Sequence, residues 1–252
     1  MLRERRAPNP SPMTLEGTRT FLVGEERVAV IDPGPAETSH LDAVAAAVGD
    51  GVTVAILVTH GHADHAGGAD PLAARLRAPV LGIARGNLSE GATVSTDAGD
   101  LVTVHTPGHT PDHACFHWPA ADAVFCGDLM MGGLDTALVA PPEGDLARYL
   151  ASLERVRALE PAVIHPAHGP SFAEPGAAID AYVRHRADRQ AQVLTALGTD
   201  SARTDREIAA AVYADTLPPG LEDVAVGAVR AYLDHLRALG AVIAEGRRWR
   251  RA

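Results

Sequence analysis

The apolar run Val52 to Val58 passes without a break into Thr59-His60-Gly61-His62-Ala63-Asp64-His65, and this junction constrains the chain more than any other stretch. A short continuous apolar run bounded by turn signals reads as a buried strand. Glycine and small residues directly after it free the backbone from strand alternation, so the side chains that follow can converge on one point. Residues 60–65 hold three imidazoles and one carboxylate, the ligand set of zinc and similar borderline divalent ions. A solvated loop that is rich in histidine by chance is the alternative. Four ligand-type side chains at the mouth of a strand weigh against it, and the chain reads as built around a metal.

Other strand ends repeat the pattern. Thr20 to Val23 and Arg27 to Ile31 read as strands joined by Gly24-Glu25-Glu26, the second ending at Asp32-Pro33-Gly34-Pro35. Asp32 there is either a turn-capping residue or support for a ligand histidine. Thr38 to Val48 has helical spacing with Thr38 or Ser39 as cap. Gly67-Gly68 precedes a second helix over Ala69 to Leu76, and Pro79 to Ile83 is a short strand. Arg85 to Ala98 reads as a polar connection. Leu101 to Thr106 alternates as a strand and runs into Pro107-Gly108-His109-Thr110-Pro111-Asp112-His113. Ala114 to Trp118 and Ala123 to Cys126 pair as strands, the latter ending at Gly127-Asp128. A loop (Leu129 to Pro142), a helix (Asp145 to Leu159) and a short strand (Val163-Ile164) lead to His165-Pro166-Ala167-His168. Strands and helices that intermix, with histidine or aspartate after strand upon strand, describe a layered α/β sandwich with a site along one edge.

From Ile179 onward the character changes. A long amphipathic helix reaches Leu197, a helix from Thr204 to Ala214 opens on a Thr204/Glu207 capping box, and another spans Leu221 to Leu239. A hairpin over 241–250 follows. Helix, helix and hairpin outline a winged-helix module. Two units are expected: a catalytic domain over 1–175, then a helical linker and winged-helix-like domain over 176–252.

The bulk numbers narrow the partners. Formal net charge is −10, and all 22 basic residues are arginine. That balance argues against non-specific nucleic-acid binding. Two cysteines, Cys115 and Cys126, imply reduced thiols and no disulfide framework. Residues 7–12, Ala-Pro-Asn-Pro-Ser-Pro, lie where a signal peptide needs its apolar run, and no stretch approaches the ~18–20 apolar residues of a membrane span. A cytoplasmic protein with no membrane partner is expected.

Read together, Asp32, His60-x-His62-x-Asp64-His65, His109, Asp128 and His168 resemble the five motifs of the metallo-β-lactamase-fold hydrolases, over roughly residues 15–172. Asn9-Pro-Ser-Pro, Gly17-Thr18-Arg19-Thr20-Phe21 and the tail resemble the subgroup of lactamase-β-like protein 2, with glyoxalase II close to it. The resemblance implies a four-layer αββα sandwich. It implies that His60, His62 and His109 hold one divalent ion, that Asp64, His65 and His168 hold a second, and that Asp128 bridges them, with Asp64 and Asp128 the catalytic carboxylates. Zinc is the expected metal, with iron or manganese as alternatives. Asp32 and His113 are candidates for contact with the ligands from behind. His113 reads as a supporting or strand-start histidine ahead of a substrate contact, and His165 as positional. His40, His105, His117, His185 and His235 read as ordinary core or surface residues. Met130 and Met131 are core fillers or a pocket wall. Tyr149 and Tyr182 are helix residues that could reach the site.

Two adjacent dications bring the pKa of a shared water towards neutrality, so a bridging hydroxide attacking an ester-type bond is the expected chemistry. A thioester or related small-molecule acyl ester is the first substrate class. Single-stranded RNA is the second, through Arg247, Arg248, Arg250 and Arg251 around Trp249, although a tryptophan packed on the preceding helix accounts for the same residues. A β-lactamase-like side activity ranks below both. Oxidoreductase variants of the fold use iron, and no flavin domain is visible. A non-enzymatic nucleic-acid module would leave the ligand set without purpose. The winged helix could instead wall the pocket or join two copies as a homodimer.

Overall fold

The computed structural model describes residues 1–133, 137–198, 202–214, 217 and 219–252. The first sheet has the order β1-β2-β3-β4-β5, from Leu2–Arg6 (β1), Arg19–Val23 (β2), Arg27–Ile31 (β3), Val52–Leu57 (β4) and Val80–Leu81 (β5). The second has the order β10-β9-β8-β7-β6, from Thr93–Thr96 (β6), Gly99–His105 (β7), Ala114–Trp118 (β8), Ala123–Gly127 (β9) and Val163–Pro166 (β10). The helices between them are Thr38–Val48 (α1), the single turn Ala63–Ala66 (α2), Ala69–Leu76 (α3) and Leu146–Arg157 (α4). The chain ends with Pro175–Leu197 (α5), Arg203–Thr204 (β11), Asp205–Tyr213 (α6), Glu222–Ala238 (α7), Val242–Glu245 (β12) and Arg248–Arg251 (β13).

Period-two alternation assigns each strand face to a layer. Phe21, Val23, Ala29, Ile31, Ala55 and Leu57 meet Phe116, Trp118, Ala123 and Phe125 between the two sheets. The intervening Leu22, Val28, Val30 and Ile56 face Leu41, Val44 and Leu72 of α1 and α3. On the far side, Cys115, Val124, Cys126 and Ile164 face Leu153 of α4 and Ile179 of α5. The result is the expected four-layer αββα sandwich of the metallo-β-lactamase fold. That last apolar cluster continues without a break to Tyr232 of α7 and Trp249 of β13.

The same topology gathers the functional loops. β3 and β4 run parallel with Ile31 beside Leu57, so Asp32 and Thr59 leave the first sheet as neighbours. β9 and β10 are also parallel, with Gly127 beside Pro166, which sets Asp128 next to the His168 loop. β8 is antiparallel to β9, so the loop carrying His109 and His113 opens on that edge as well.

Several local expectations change. Leu2–Arg6 is a strand paired along the whole of β2; its charged side chains are those of an edge strand, where charge deters pairing with other chains. Thr93–Thr96, inside the expected polar connection, pairs with β7. The strand expected over Pro79 to Ile83 shrinks to Val80–Leu81. The N-cap of α1 is Glu37 without a side-chain bond, so neither Thr38 nor Ser39 caps it. α5 begins at Pro175, a residue suited to a first helical turn. The Thr204/Glu207 capping box forms, with both reciprocal bonds present.

Candidate metal centre

Asp32 sits at φ +48°, a left-handed conformation uncommon outside glycine. All of its acceptor capacity faces inward. One carboxylate oxygen accepts the Thr59 N–H at 2.8 Å. The other accepts the Thr59 hydroxyl at 2.8 Å and the His65 Nδ1–H at 2.9 Å. Because the Thr59 hydroxyl spends its proton on Asp32, its oxygen accepts the Nδ1–H of His60 at 3.1 Å. One buried carboxylate thereby fixes the tautomers of two histidines.

The other three imidazoles are fixed the same way. His62 donates from Nε2 to Glu143 at 3.0 Å, and His109 donates from Nδ1 to the Leu138 carbonyl at 2.7 Å. His168 points Nδ1 at the Gly17 carbonyl, 3.5 Å away. All five histidines therefore turn a lone pair to the same space. His60 Nε2 lies 2.9 Å from His62 Nδ1, which lies 3.2 Å from His109 Nε2. His65 Nε2 lies 3.3 Å from His168 Nε2. Nitrogen ligands on a tetrahedron at Zn–N distances stand about 3.3 Å apart. Lone pairs held face to face at that spacing call for a cation between them.

The carboxylates complete two overlapping groups: His60, His62, His109 and Asp128, and Asp64, His65 and His168. Asp128 reaches both. Its Oδ2 is 3.6 Å from His109 Nε2, and its Oδ1 is 3.3 Å from His65 Nε2 and from His168 Nε2. Asp64 Oδ2 lies 3.5 Å from His65 and 3.4 Å from His168. Asp128 Oδ1 is buried with no hydrogen-bond partner, an orphan that a bound cation would satisfy. Each group takes ligands from both sheets: His60, His62, Asp64 and His65 follow β4, whereas His109, Asp128 and His168 follow strands of the second. The residues present fit a pair of divalent ions.

The charges follow from burial and proximity. Burial, and then the charge on His65, push His60 well below the ordinary histidine range. Burial likewise lowers His109. His65 goes the other way: burial opposes its charged form, but Asp128 and Asp32 outweigh burial and raise it well above that range. Without a metal, a proton supplies the positive charge that the cluster demands. Burial would raise Asp128, yet His65 and His168 hold it well below the usual carboxylate range. Asp64 is lowered too; burial opposes this, and the bond to His168 and the charge of His65 prevail.

Around this centre the loops are pinned. Gly127 has φ +49°, and a β-carbon there would come within 2.8 Å of His113 Nε2 and the Thr59 side chain. Only glycine lets β9 turn here and bring Asp128 in. His113 is fully buried; its Nε2 accepts the Asp128 N–H at 3.1 Å and its Nδ1 donates to Thr106 at 2.9 Å. Burial and the neighbouring His109 depress it to about 3, so it is a neutral brace behind Asp128. His165 lies between Phe21 and Phe125, bonded to Ser171 at 2.8 Å, away from the ligand groups. Tyr149 donates to the Leu129 carbonyl at 2.8 Å, and Tyr182 bonds both the N–H and the carbonyl of Met131 at 2.7 Å. Both tyrosines hold the segment after Asp128, and Met130 and Met131 are buried in the core.

Glu143 has no expectation attached to it in the sequence, where Pro141-Pro142-Glu143-Gly144 reads as plain loop. Nor do the carbonyls of Leu138 and Gly17, since a backbone acceptor leaves no trace in residue type. Arg19 is a further addition: its guanidinium binds the carbonyls of Pro166 and Gly169 at 3.2 and 3.0 Å, with Glu4 at 2.8 Å, and so anchors the His168 loop to the first sheet.

Three of the four tail arginines are engaged with their own chain, while Arg247 is exposed. Arg248 donates to the Ala202 carbonyl, Arg250 pairs with Glu245, and Arg251 donates to the Leu194 carbonyl. Trp249 is 1% exposed and lies beneath Arg230 of α7 at 4.9 Å. It packs on the preceding helix and offers no face for stacking.

The metallo-β-lactamase superfamily model matches residues 13–89 and 85–168. The Caenorhabditis elegans beta-lactamase-like protein 2 homolog is 30% identical over 226 residues, covering 82% of this chain and 75% of that protein. A metallo-β-lactamase family protein from Thermus thermophilus superposes with a TM-score of 0.84 at 21% identity, covering 100% of this chain and 98% of the other. TTHA1623, solved in a di-iron-bound form, superposes with a TM-score of 0.56 at 27% identity, over 71% of this chain and 97% of its own. On its motifs, its fold and these matches, the chain belongs to the metallo-β-lactamase superfamily, whose members are generally metal-dependent hydrolases.

Proposed function

We propose that the protein is a binuclear zinc hydrolase of acyl esters, with thioesters as its foremost substrates. The observation that carries this reading is the convergence of five imidazole lone pairs on two groups that share Asp128. His60, His62 and His109 would hold one ion, Asp64, His65 and His168 the other. Two such ions supply Lewis acidity, making hydroxide available near neutral pH and polarising the scissile carbonyl. The chain's own residues do the positioning. Asp32 and Glu143 orient ligand imidazoles from behind. Asp64, with its side chain 30% exposed, is the most open member of its group and would orient the attacking water. Asp128 keeps its negative charge between the two groups.

Imidazole and carboxylate suit zinc, and iron in the TTHA1623 structure shows that the fold also accepts a redox metal. The buried Trp249 and the engagement of Arg248, Arg250 and Arg251 favour a small-molecule substrate over RNA. A winged-helix-like C-terminal unit beginning near residue 176 would wall the site, since residues of α5 and α7 line a cavity together with Met131 and Leu138. Two buried free thiols, Cys115 and Cys126, accord with work in the cytoplasm. No helix among the described residues is long and apolar enough to cross a membrane.

The test is to incubate the zinc-loaded protein with a panel of acyl thioesters and with labelled single-stranded RNA. Thioester turnover that chelation abolishes and zinc restores is the expected result. Cleavage of RNA without thioester turnover would transfer the assignment to a ribonuclease, and hydrolysis indifferent to chelation would remove the metal from the mechanism.

A further inference from the structure

A cavity of about 190 Å³ opens between the segment after Asp128 and helices α5 and α7. An apolar cavity of roughly 150 Å³ takes a benzene ring, so this one has room for a compact organic group. Its walls include Met131, Val139 and Leu221, and its polar lining consists of His185, Arg186, Arg189 and Tyr213. None of its described lining residues is acidic, in a chain whose net charge is −10.

Arg186 is the unusual member. It is 6% exposed, and no carboxylate among the described residues pairs with it. Its guanidinium donates to the Ala137 carbonyl, reaches the Tyr232 hydroxyl at 3.4 Å and lies 4.8 Å over the Tyr149 ring. Its Nε is buried without a partner, and so is Nδ1 of the neighbouring His185. A buried cation with no counter-ion among the described residues gains from one, and a carboxylate against the guanidinium fork is the partner that matches it best. The cavity also adjoins the metal centre. Leu138 lines it and turns its carbonyl to His109, and Met131 lines it three residues after Asp128.

We propose that this cavity binds an apolar arm of the substrate that ends in a carboxylate, with Arg186 as the residue that pairs with it. The proposal rests on the reading of the chain as an acyl-ester hydrolase and narrows its substrates to acyl groups bearing a carboxylate. Mostly apolar walls with a few convergent polar groups are what orient a small ligand.

The test is calorimetric binding of 4-phenylbutyrate and of its neutral isostere 4-phenylbutanol to the zinc-loaded protein. Wild type is expected to bind the carboxylate at least tenfold more tightly. Arg186→Met should remove that preference. Ala228→Phe, which fills the cavity from α7 and leaves Arg186 in the chain, should weaken both ligands, and it keeps the test decisive if Arg186→Met fails to fold. Equal affinity for acid and alcohol would overturn the proposal. So would carboxylate binding that survives Ala228→Phe, because the acid would then be sitting on the metals. Thioester turnover is measured in parallel. Cavity binding without turnover would refute the hydrolase reading alone, and turnover with no carboxylate preference would refute the cavity assignment alone.

Discussion

Asp32 and Glu143 perform the same task under different conditions. Each accepts the outward N–H of a ligand histidine, but Asp32 is 1% exposed and has three donors, whereas the Glu143 side chain is 57% exposed with one. Partners of this kind typically change metal affinity by roughly 10–100-fold when removed. Water at an exposed site can replace the lost acceptor, and buried His65 has no such substitute. Asp32→Asn should therefore weaken metal binding towards the upper end of that range, and Glu143→Gln by less than about tenfold, as read by competition with a chromogenic chelator. Equal losses would mean that burial does not set the strength of these contacts. The contrast also marks what sequence can reveal. Asp32 stands at a strand end beside a recognisable motif, while Glu143 reaches His62 across 81 positions from a loop that carries no pattern. The seven side chains that converge on the two groups were legible because ligation demands particular side chains in a fixed order along the chain. Partners that need only an acceptor oxygen, such as the carbonyls of Leu138 and Gly17, were not.

At the level of elements, alternation in β2, β3, β4, β8 and β9 made the sandwich legible, because each residue's face follows from the strand period. β1 and β6 escaped since both lie at sheet edges, where pairing on one side suffices and apolar alternation is not required. β10 bears a consequence of its own. His165 sits between Phe21 and Phe125, and burial, with the nearby Arg19 charge, depresses it to about 4. The unfolded chain takes up this proton first, near pH 6.5, so the contribution of His165 to stability is intact above that pH. It is lost as pH falls to about 4. In metal-free protein, His165→Gln should therefore shrink the drop in urea midpoint between pH 7 and pH 4.5. An unchanged drop would assign the acid sensitivity to other groups, His113 foremost.

For the whole molecule, the boundary expected between residues 175 and 176 falls at the first residue of α5, and an apolar cluster runs straight across it from Val104 to Trp249. Trp249→Ala should cost about 3–5 kcal/mol, as large aromatic truncations in a core do. It should lower a single melting transition in calorimetry, since the cluster it empties also backs β9 and β10. A separate early transition with the main one unmoved would show that the C-terminal unit melts alone.

The two ligand groups span the interface between the sheets, since β4 supplies one side of each and the second sheet supplies the other. An ion bound there acts as a rivet through the sandwich as well as a reagent. Sliding or parting the layers means breaking coordination bonds, so the apparent melting temperature should be a gauge of metal occupancy. Binding to the folded state alone adds about 4 kcal/mol when free ion stands at 1,000 times its dissociation constant, and chelation should lower the melting temperature accordingly, with zinc restoring it. The reagent and the rivet are then one object: a cell that runs short of metal loses the enzyme's stability together with its activity.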